Sequence, residues 1–528
     1  MSKIFNLFDI KQKVNYKNEF LSGVTVALAL VPEAIAFALI AGLSPLTGLY
    51  AAFTIGLVTS ILGGRPGMIS GATGAIAVVY VGMISVLKTN HPDITIDQIT
   101  QYVFATVILA GLFQVTAGLF KLGKFIRLVP HSVMFGFVNG LAIVIFMAQM
   151  TSFQEKDMSG NYQWMEANEL LIMIGFVLLT MIIIWGLPKI TKAIPSSLAA
   201  IIVVSVIIIG FGIDTKTVSD TMDGKSMAGG FPIPGLPDVP FSWETLTTIF
   251  PYALIVAGVG LIESLLTLNL IDEITQTRGR GNKECVAQGT ANIFSGLFLG
   301  MGGCAMIGQS LINISSGARA RLSGIVAAIG LLIFIMFGAS IIEQLPMAAL
   351  VGVMFMVAIG TFEWASLKVF GKMPTTDVVV MIIVTLVTVF LHNLALAVLV
   401  GVIISALNFA WENAKRIRAK KYIDEKGSKH YEIYGPLFFG SISTFNNKFD
   451  IQGDPEDVII DFSESKIVDM SAIEALNTLT ERYLKAGKKI HLRHLSADCQ
   501  TLLKNADKII EVNVLEDPTY HIVTDVIQ

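Results

Sequence analysis

Apolar runs of close to twenty residues recur along this chain from Phe20 to Trp411. Each is long enough to cross the hydrocarbon core of a bilayer. In hydrocarbon the backbone must satisfy its own hydrogen bonds, so runs of this kind fold as helices. With 53% apolar residues, 15% charged residues and a mean hydropathy of +0.69, the chain falls well below the roughly 25% charge of soluble domains. It reads as a polytopic α-helical membrane protein. Fourteen spans are expected, at about 20–42, 45–62, 72–87, 101–120, 131–150, 168–186, 196–213, 248–271, 286–299, 304–317, 322–340, 346–362, 376–391 and 394–412. The first nineteen residues lack a long apolar stretch with a small-residue cleavage site, so they read as an uncleaved cytoplasmic segment.

Loops numbered alternately sort the basic residues. One set holds Lys3, Lys11, Lys13, Lys17, Arg65, Lys121, Lys124, Arg127, Lys189, Lys192, Arg278, Arg280, Lys283, Arg319, Arg321, Lys368, Lys372 and the run Lys415–Lys421. The other holds only Lys88, Lys156, Lys216 and Lys225. Basic residues favour the cytoplasmic side, so both termini are expected there and the span count is even. Arg319, Arg321 and TRGRG (277–281) are read as topology signals, and the Pro-rich 229–243 as an external loop without chemistry.

Two spans are broken. The third follows GGRPGMISG, and the tenth lies in GMGGCAMIGQSLINISSG (300–317); both are short and glycine-led, about 230 residues apart. Glu33 and Glu263, both inside spans, are also 230 apart. Matching interrupted segments in two halves point to an internal repeat with a binding site between its copies. Seven spans per half make that repeat inverted. A helix that starts in mid-membrane leaves unpaired N–H groups and a partial positive charge at its N-terminus. Two such ends form an anion site without a fixed cation. Thr73, Gln309 and Ser310 would add side-chain donors, with Asn313 a weaker candidate. Glu263 and Thr267, at i and i+4, share one helix face. Such a pair fits Na+ through oxygen ligands, and the carboxylate alone fits a carried proton. Glu33 follows Pro32, which is expected to interrupt the first span, and is a cavity candidate.

Beyond Trp411 the composition turns charged. Residues 413–423 read as a linker and 424–528 as a soluble α/β domain. VIIDFS (458–463) and KKIHLRHL read as parallel strands. Residues 471–487 read as a helix ending at Gly487, and ADCQTLLKNA as a second helix. Ser471 reads as an N-cap. Cys285, Cys304 and Cys499 have no metal or redox spacing, so no metal or cofactor is expected. No catalytic motif is present, so the chain is not read as an enzyme. The net charge of −3 says little about partners, and no nucleic-acid partner is expected.

The stretches GVTVALALVPEAIAFALIAGLSPLTGLYAAF, SGATGAIAVV and ECVAQGTANIFSGLFLGMGGCAMIGQSLINISSGARARLSG resemble the sulfate permease (SulP) family of anion transporters. YGPLFFGSIS and VIIDFSESKIVDMSAIEAL resemble its C-terminal STAS domain. The resemblance spans essentially the whole chain. It implies a seven-plus-seven inverted repeat in a transport domain (20–412), with a core (spans 1–4 and 8–11) moving against a gate (5–7 and 12–14). A homodimer in a bacterial inner membrane is also implied. It assigns anion contact to Thr73 and Gly74 and to the Ala305, Met306 and Ile307 backbone, and coupling to Glu263 with Thr267. Glutamate at 263 leans towards H+ over Na+. Ser471 matches a regulatory phosphorylation position. Two departures stand out: Glu33 replaces a frequent glutamine, and Gln309 replaces a frequent arginine. The function implied is secondary transport of sulfate, bicarbonate or a dicarboxylate. An uncoupled anion channel or exchanger is the main rival, followed by a neutral-substrate permease and a signalling scaffold.

Overall fold

The computed structural model describes residues 14–124, 129–156, 162–191, 195–222, 230–369, 371–391 and 394–495. Lys3, Lys11, Lys13, Arg127, Lys192, Lys225, Cys499 and the expected helix at ADCQTLLKNA lie outside these residues. The chain divides into two units, residues 1–402 and 403–528.

The first unit is helical. Its first half contains α1 (Tyr16–Ile40), α2 (Pro45–Leu62), α3 (Gly74–Asn90), α4 (Ile96–Leu119), α5 (His131–Ala148), α6 (Ala167–Ile190) and α7 (Ser196–Phe211). Its second contains α8 (Trp243–Thr275), α9 (Gly281–Leu297), α10 (Ile307–Ser315), α11 (Leu322–Phe337), the short α12 (Ala339–Glu343), α13 (Met347–Thr361), α14 (Thr375–Leu391) and α15 (Leu394–Lys415), the last crossing the unit boundary. Every expected span meets a helix. Seven of these helices are long and apolar enough to cross a membrane by length and composition. The nine-residue α10 is short because its helix starts late, after an extended stretch.

The helices pack by an exchange rule. Matching α1–α7 with α8–α11 and α13–α15 in order, the contact α1–α11 has its counterpart in α8–α4. Likewise α2–α11 answers α9–α4, α1–α10 answers α8–α3, and α5–α14 answers α13–α6. This is the packing of an inverted repeat. Small residues permit the closest crossing. A Cβ on Gly111 of α4 would stand 2.6 Å from the Gly289 carbonyl oxygen of α9, and one on Gly289 2.5 Å from that of Gly111. Helices α6 and α7 bury only a few side chains, among them Val177, Thr180, Ile201 and Val204. Apolar on all sides, they suit a lipid surround.

Pro32 does not interrupt α1, contrary to expectation: the helix runs from Tyr16 to Ile40. Proline removes one backbone bond, yet Val31, Ala34, Ile35 and Phe37 are buried on either side, so packing holds the turn together. The basic residues read as topology signals also make packing contacts. Arg321 is buried and donates to the carbonyls of Ser60 (3.0 Å) and Gly63 (2.7 Å), closing the C-terminal end of α2. Arg319 donates to the carbonyls of Ile314 and Ala318, both at 2.6 Å, after α10. Arg65 pairs with Asp272 at 3.2 Å, and Asp272 also accepts from the Gly279 N–H in the TRGRG segment. Part of the Pro-rich loop also packs back on the bundle, with the Tyr50 hydroxyl on the Gly230 carbonyl (3.2 Å) and the Gly235 N–H on Leu297 (2.8 Å).

Among its described residues four strands punctuate this unit: β1 (Ser70–Gly71), β2 (Gln154–Lys156) paired with β3 (Tyr162–Trp164), and β4 (Cys304–Ala305). Four more form the sheet of the second unit: β5 (Arg418–Ile423), β6 (Lys429–Tyr434), β7 (Asp457–Glu464) and β8 (Lys489–Arg493), in that order. β5–β6 is antiparallel, while β6–β7 and β7–β8 are parallel. The sheet starts earlier than the composition suggested, because the charged stretch 418–423 is an edge strand, where lysines are tolerated. Among its described residues the unit also holds the helices α16 (Ile442–Asn446) and α17 (Met470–Lys485). The N-cap of α17 is Asp469, whose carboxylate accepts from the N–H of Ala472 (2.9 Å) and of Phe439 (2.9 Å). Ser471 is therefore not the cap but lies inside the first turn. At the domain's centre Asp454 accepts hydrogen bonds from Tyr431 (2.7 Å) and Tyr483 (2.5 Å) and pairs with Lys429 (2.7 Å).

Candidate functional site

The two interrupted segments meet. β1 pairs antiparallel with β4, Ser70 opposite Ala305 and Gly71 opposite Cys304. Each strand runs directly into a helix, β1 into α3 and β4 into α10. Thr73 stands at the N-cap of α3 and Met306 at that of α10, both extended. The Ala77 N–H donates to the Thr73 carbonyl (3.1 Å), and the Ser310 N–H to that of Met306 (3.1 Å). The N–H groups of Gly74–Ile76 and Ile307–Gln309 therefore point out of the helix ends. The two ends lie close: Thr73 Oγ1 is 3.3 Å from Cys304 Sγ. β1, β4 and α10 contain no lysine or arginine. The ring of Phe37 and the side chain of Ile145 flank Gly74, while a Cβ on Gly308 would find no atom within 4 Å. The start of α10 is thus open.

A polar stripe on α9 holds the crossing. Glu284, Gln288, Asn292 and Ser295, spaced by four, four and three, share one face. Glu284 accepts from the Gly64 N–H (2.6 Å), and Gln288 donates to the Ser70 hydroxyl (2.8 Å). Asn292 accepts from the Gly303 N–H (2.9 Å) and donates to the Gly303 carbonyl (3.0 Å), and Ser295 accepts from the Gly302 N–H (3.2 Å). These side chains replace the partners that backbone outside a helix would otherwise lack in an apolar setting. Polar residues at helical spacing within ECVAQGTANIFSG were the signal for this stripe, which sequence reasoning missed. It also missed Glu19, whose carboxylate accepts from the N–H groups of Arg319 (2.5 Å), Ala320 (2.8 Å) and Ser323 (3.0 Å) at the start of α11.

Glu263 reaches the crossing through Cys304, whose thiol donates to its carboxylate at 3.0 Å. The next residue, Ser264, accepts from the Ala305 N–H at 3.1 Å and ties β4 to α8. Thr267 is buried, and its hydroxyl donates to the Glu263 carbonyl (2.8 Å). Thr73 occupies the N-cap position, but its side chain makes no capping bond; it faces Cys304 instead. Gln309 donates its amide to the Glu33 carboxylate, joining α10 to α1. Ser310 is fully buried and bonds to the backbone of Ile69, accepting its N–H at 3.0 Å. Its hydroxyl fixes the strand before α3. Asn313 donates to the Gly67 carbonyl (2.8 Å) and accepts from Ser22 (2.6 Å), a structural tie. Thr73, Gly74, Ala305, Met306, Ile307, Gln309, Glu33 and Glu263 thus gather at one crossing. Ser471 belongs to the other unit.

Comparison with known proteins matches this architecture. The sulfate permease family model matches residues 16–384, and the STAS domain model 423–516. A putative sulfate transporter of Bacillus subtilis, YbaR, is 42% identical over 501 residues, 94% of this chain and 99% of that protein. The bicarbonate transporter BicA of Picosynechococcus is 29% identical over 515 residues, covering 92% and 90%. The solved transmembrane domain of a cyanobacterial BicA superposes with a TM-score of 0.63 at 29% identity, over 76% of this chain and all of that one. The anion transporter Slc26a9 of mouse superposes at 0.78 over 96% of this chain and 90% of that one with 19% identity, a likeness of fold. On the family match, the identity and the shared fold, this chain is a member of the sulfate permease family, a membrane transport domain joined to a STAS domain.

Proposed function

We propose that this protein is a secondary active transporter of a small anion, working as an H+-coupled symporter. The observation that carries the reading is the crossing of β1 and β4, which brings two helix N-termini together and sets the Glu263 carboxylate behind them through Cys304. The N-termini of α3 and α10 supply donors and partial positive charge to the anion. Thr73, Gly74 and the Ala305–Ile307 backbone line its site, with Gln309 and Ser310 bracing it. No fixed cation holds the substrate, which favours release. Glu33, tied to Gln309, adds negative charge and disfavours dianions relative to a monoanion such as bicarbonate. Sulfate, bicarbonate and C4-dicarboxylates are the candidates, the first two being what the relatives' names report.

Glu263, with Thr267 one turn on, carries the coupling proton. α1–α4 and α8–α11 form the moving core, and the remaining helices the gate. The sorting of basic residues supports fourteen spans with both termini cytoplasmic, in a bacterial inner membrane. The protein works as a homodimer, and the STAS domain, with Ser471 as a candidate regulatory position, adjusts assembly or rate.

Uptake into tight proteoliposomes tests the reading. Labelled sulfate, bicarbonate and a C4-dicarboxylate are offered under an inward H+ gradient and then an inward Na+ gradient. One anion should accumulate with H+ and fail to do so in Glu263→Gln. Accumulation driven by Na+ at constant pH would replace the proton with sodium. Flux of an anion with neither gradient effective would make the protein a channel or exchanger.

A further inference from the structure

We propose that Cys304 is a positioning residue that relays the protonation state of Glu263 to the hydroxyl of Thr73, and so couples proton binding to anion binding. This rests on the reading of Glu263 as the proton carrier. The geometry is a continuous chain from three elements: Glu263 on α8, Cys304 on β4 and Thr73 at the start of α3. The links are 3.0 Å from Sγ to the carboxylate and 3.3 Å from Oγ1 to Sγ. Both contacts lie within sulfur hydrogen-bond range, and a thiol is at once a weak donor and a weak acceptor. Cys304 is fully buried and Thr73 nearly so, which leaves water little access to either. The Thr73 hydroxyl is free for the role because it does not cap α3. The frame is fixed by the Ser264–Ala305 bond on one side and Asn292–Gly303 on the other.

The chain has two directions. With Glu263 ionised, the Cys304 S–H donates to the carboxylate across the 3.0 Å contact. The sulfur then accepts from the Thr73 O–H, and that hydroxyl proton points away from the N-terminus of α3. With Glu263 protonated, its O–H donates to the sulfur. The thiol proton rotates to the Thr73 oxygen, and the Thr73 O–H turns towards the α3 end, where an anion would sit. One proton is taken up at Glu263, no thiolate forms, and no covalent bond changes beyond that O–H. Proton and anion binding then favour one another, as linkage requires of a symporter. A sodium ion on Glu263 would not supply the donor that turns the thiol.

The elements packed against α8 carry few other groups that titrate. They are Tyr80 and Lys88 on α3, Asp97 and Tyr102 on α4, and Lys283, Glu284 and Cys285 on α9. Among the described residues, Cys304 is the titratable group bonded to the Glu263 carboxylate. Glu284 is held by Gly64 and Gln288.

Infrared difference spectra of the full-length protein in lipid, stepped from acid to alkaline pH, test the relay without a known substrate. The S–H stretch falls in a window clear of other protein bands, and Cys304→Ser identifies the Cys304 component. The Cys304 band should shift together with the carboxyl band that Glu263→Gln removes, and should stay still in Glu263→Gln. A Cys304 band that stays fixed while Glu263 titrates overturns the relay. In uptake assays Cys304→Ala should lose the acid-side gain in anion affinity, raising KM about fivefold with kcat held, the factor of one net hydrogen bond. Cys304→Ser should restore it. A Cys304→Ala variant with the wild-type pH profile, when Glu263→Gln has lost it, sinks the relay alone. A wild type indifferent to pH sinks both the relay and the proton reading. Should Cys304→Ala not fold, the wild-type and Cys304→Ser spectra decide.

Discussion

Replacing Gly303 with alanine probes the crossing where it has least room. A Cβ there would lie 1.9 Å from the Gly71 carbonyl oxygen, 2.6 Å from its carbon and 3.0 Å from Cδ1 of Ile55. The isoleucine methyl can rotate away. The Gly71 carbonyl cannot, because Gly71 faces Cys304 in the β1–β4 ladder. The clash is backbone against backbone, so the strands must part by about 1 Å, at an overpacking cost of about 3 kcal/mol. Parting them also strains the two bonds from Asn292 to Gly303. Since α3 and α10 start from these strands, their N-termini move apart by a similar amount. Misplacement on that scale costs about 10²-fold in a preorganised site. Gly258→Ala is the control, because a Cβ there meets no atom within 4 Å in the middle of α8. It should keep transport and gain up to about 1 kcal/mol of helix stability. The assay is uptake of the transported anion into proteoliposomes beside thermal melting of the same preparations. A Gly303→Ala protein that melts and transports as wild type would refute the claim that the ladder sets the site.

Three further outcomes follow from the buried polar groups. Asn292→Ala leaves the Gly303 N–H and carbonyl and the Gln114 amide oxygen without their partner, and should destabilise by about 2 kcal/mol and abolish uptake, read by melting and flux. Glu19→Gln weakens three contacts at the start of α11 and should cost about 1 kcal/mol in melting while leaving anion preference unchanged. In the STAS domain, burial pushes the Asp454 carboxyl up, but bonds from Lys429, Tyr483 and Tyr431 hold it below the usual range. Its contribution is therefore complete at neutral pH and lost as pH falls through the carboxylate range. Asp454→Asn should destabilise that domain by about 3 kcal/mol and flatten the acid side of its stability profile, followed by limited proteolysis against pH.

Much of the architecture was legible because hydropathy and glycine placement act locally. The late start of α10 could be read from four glycines and a cysteine ahead of Gln309 in the 300–317 stretch, and the repeat from two matching breaks. Glu263 stood out because a carboxylate inside a span is costly. What could not be read depends on partners far along the chain. Cys304 had no motif around it and gains a role only by lying between Glu263 and Thr73. Ser310 looked like a ligand for the cavity, yet its hydroxyl is bonded 241 residues away to Ile69. Glu19 sat in an ordinary polar segment and contacts residues some 300 positions on. Pro32 misled in the other direction, since local propensity predicts a break and tertiary burial overrides it. In the STAS domain, a run of lysines that reads as linker is an edge strand because its partner, β6, supplies the hydrogen bonds.

Anion binding to purified protein carrying Gly308→Asp is the most direct test of the central claim. Gly308 lies in the first turn of α10 and is exposed, with no atom within 4 Å of a Cβ. Aspartate there suits a helix N-terminus, so the protein should fold and melt no lower than wild type. Its carboxylate would occupy the place proposed for the substrate. Scintillation proximity binding of the transported anion should fall to background in Gly308→Asp and persist in Gly308→Ser. Undiminished binding in a folded Gly308→Asp protein would place the anion somewhere other than between these two helix ends.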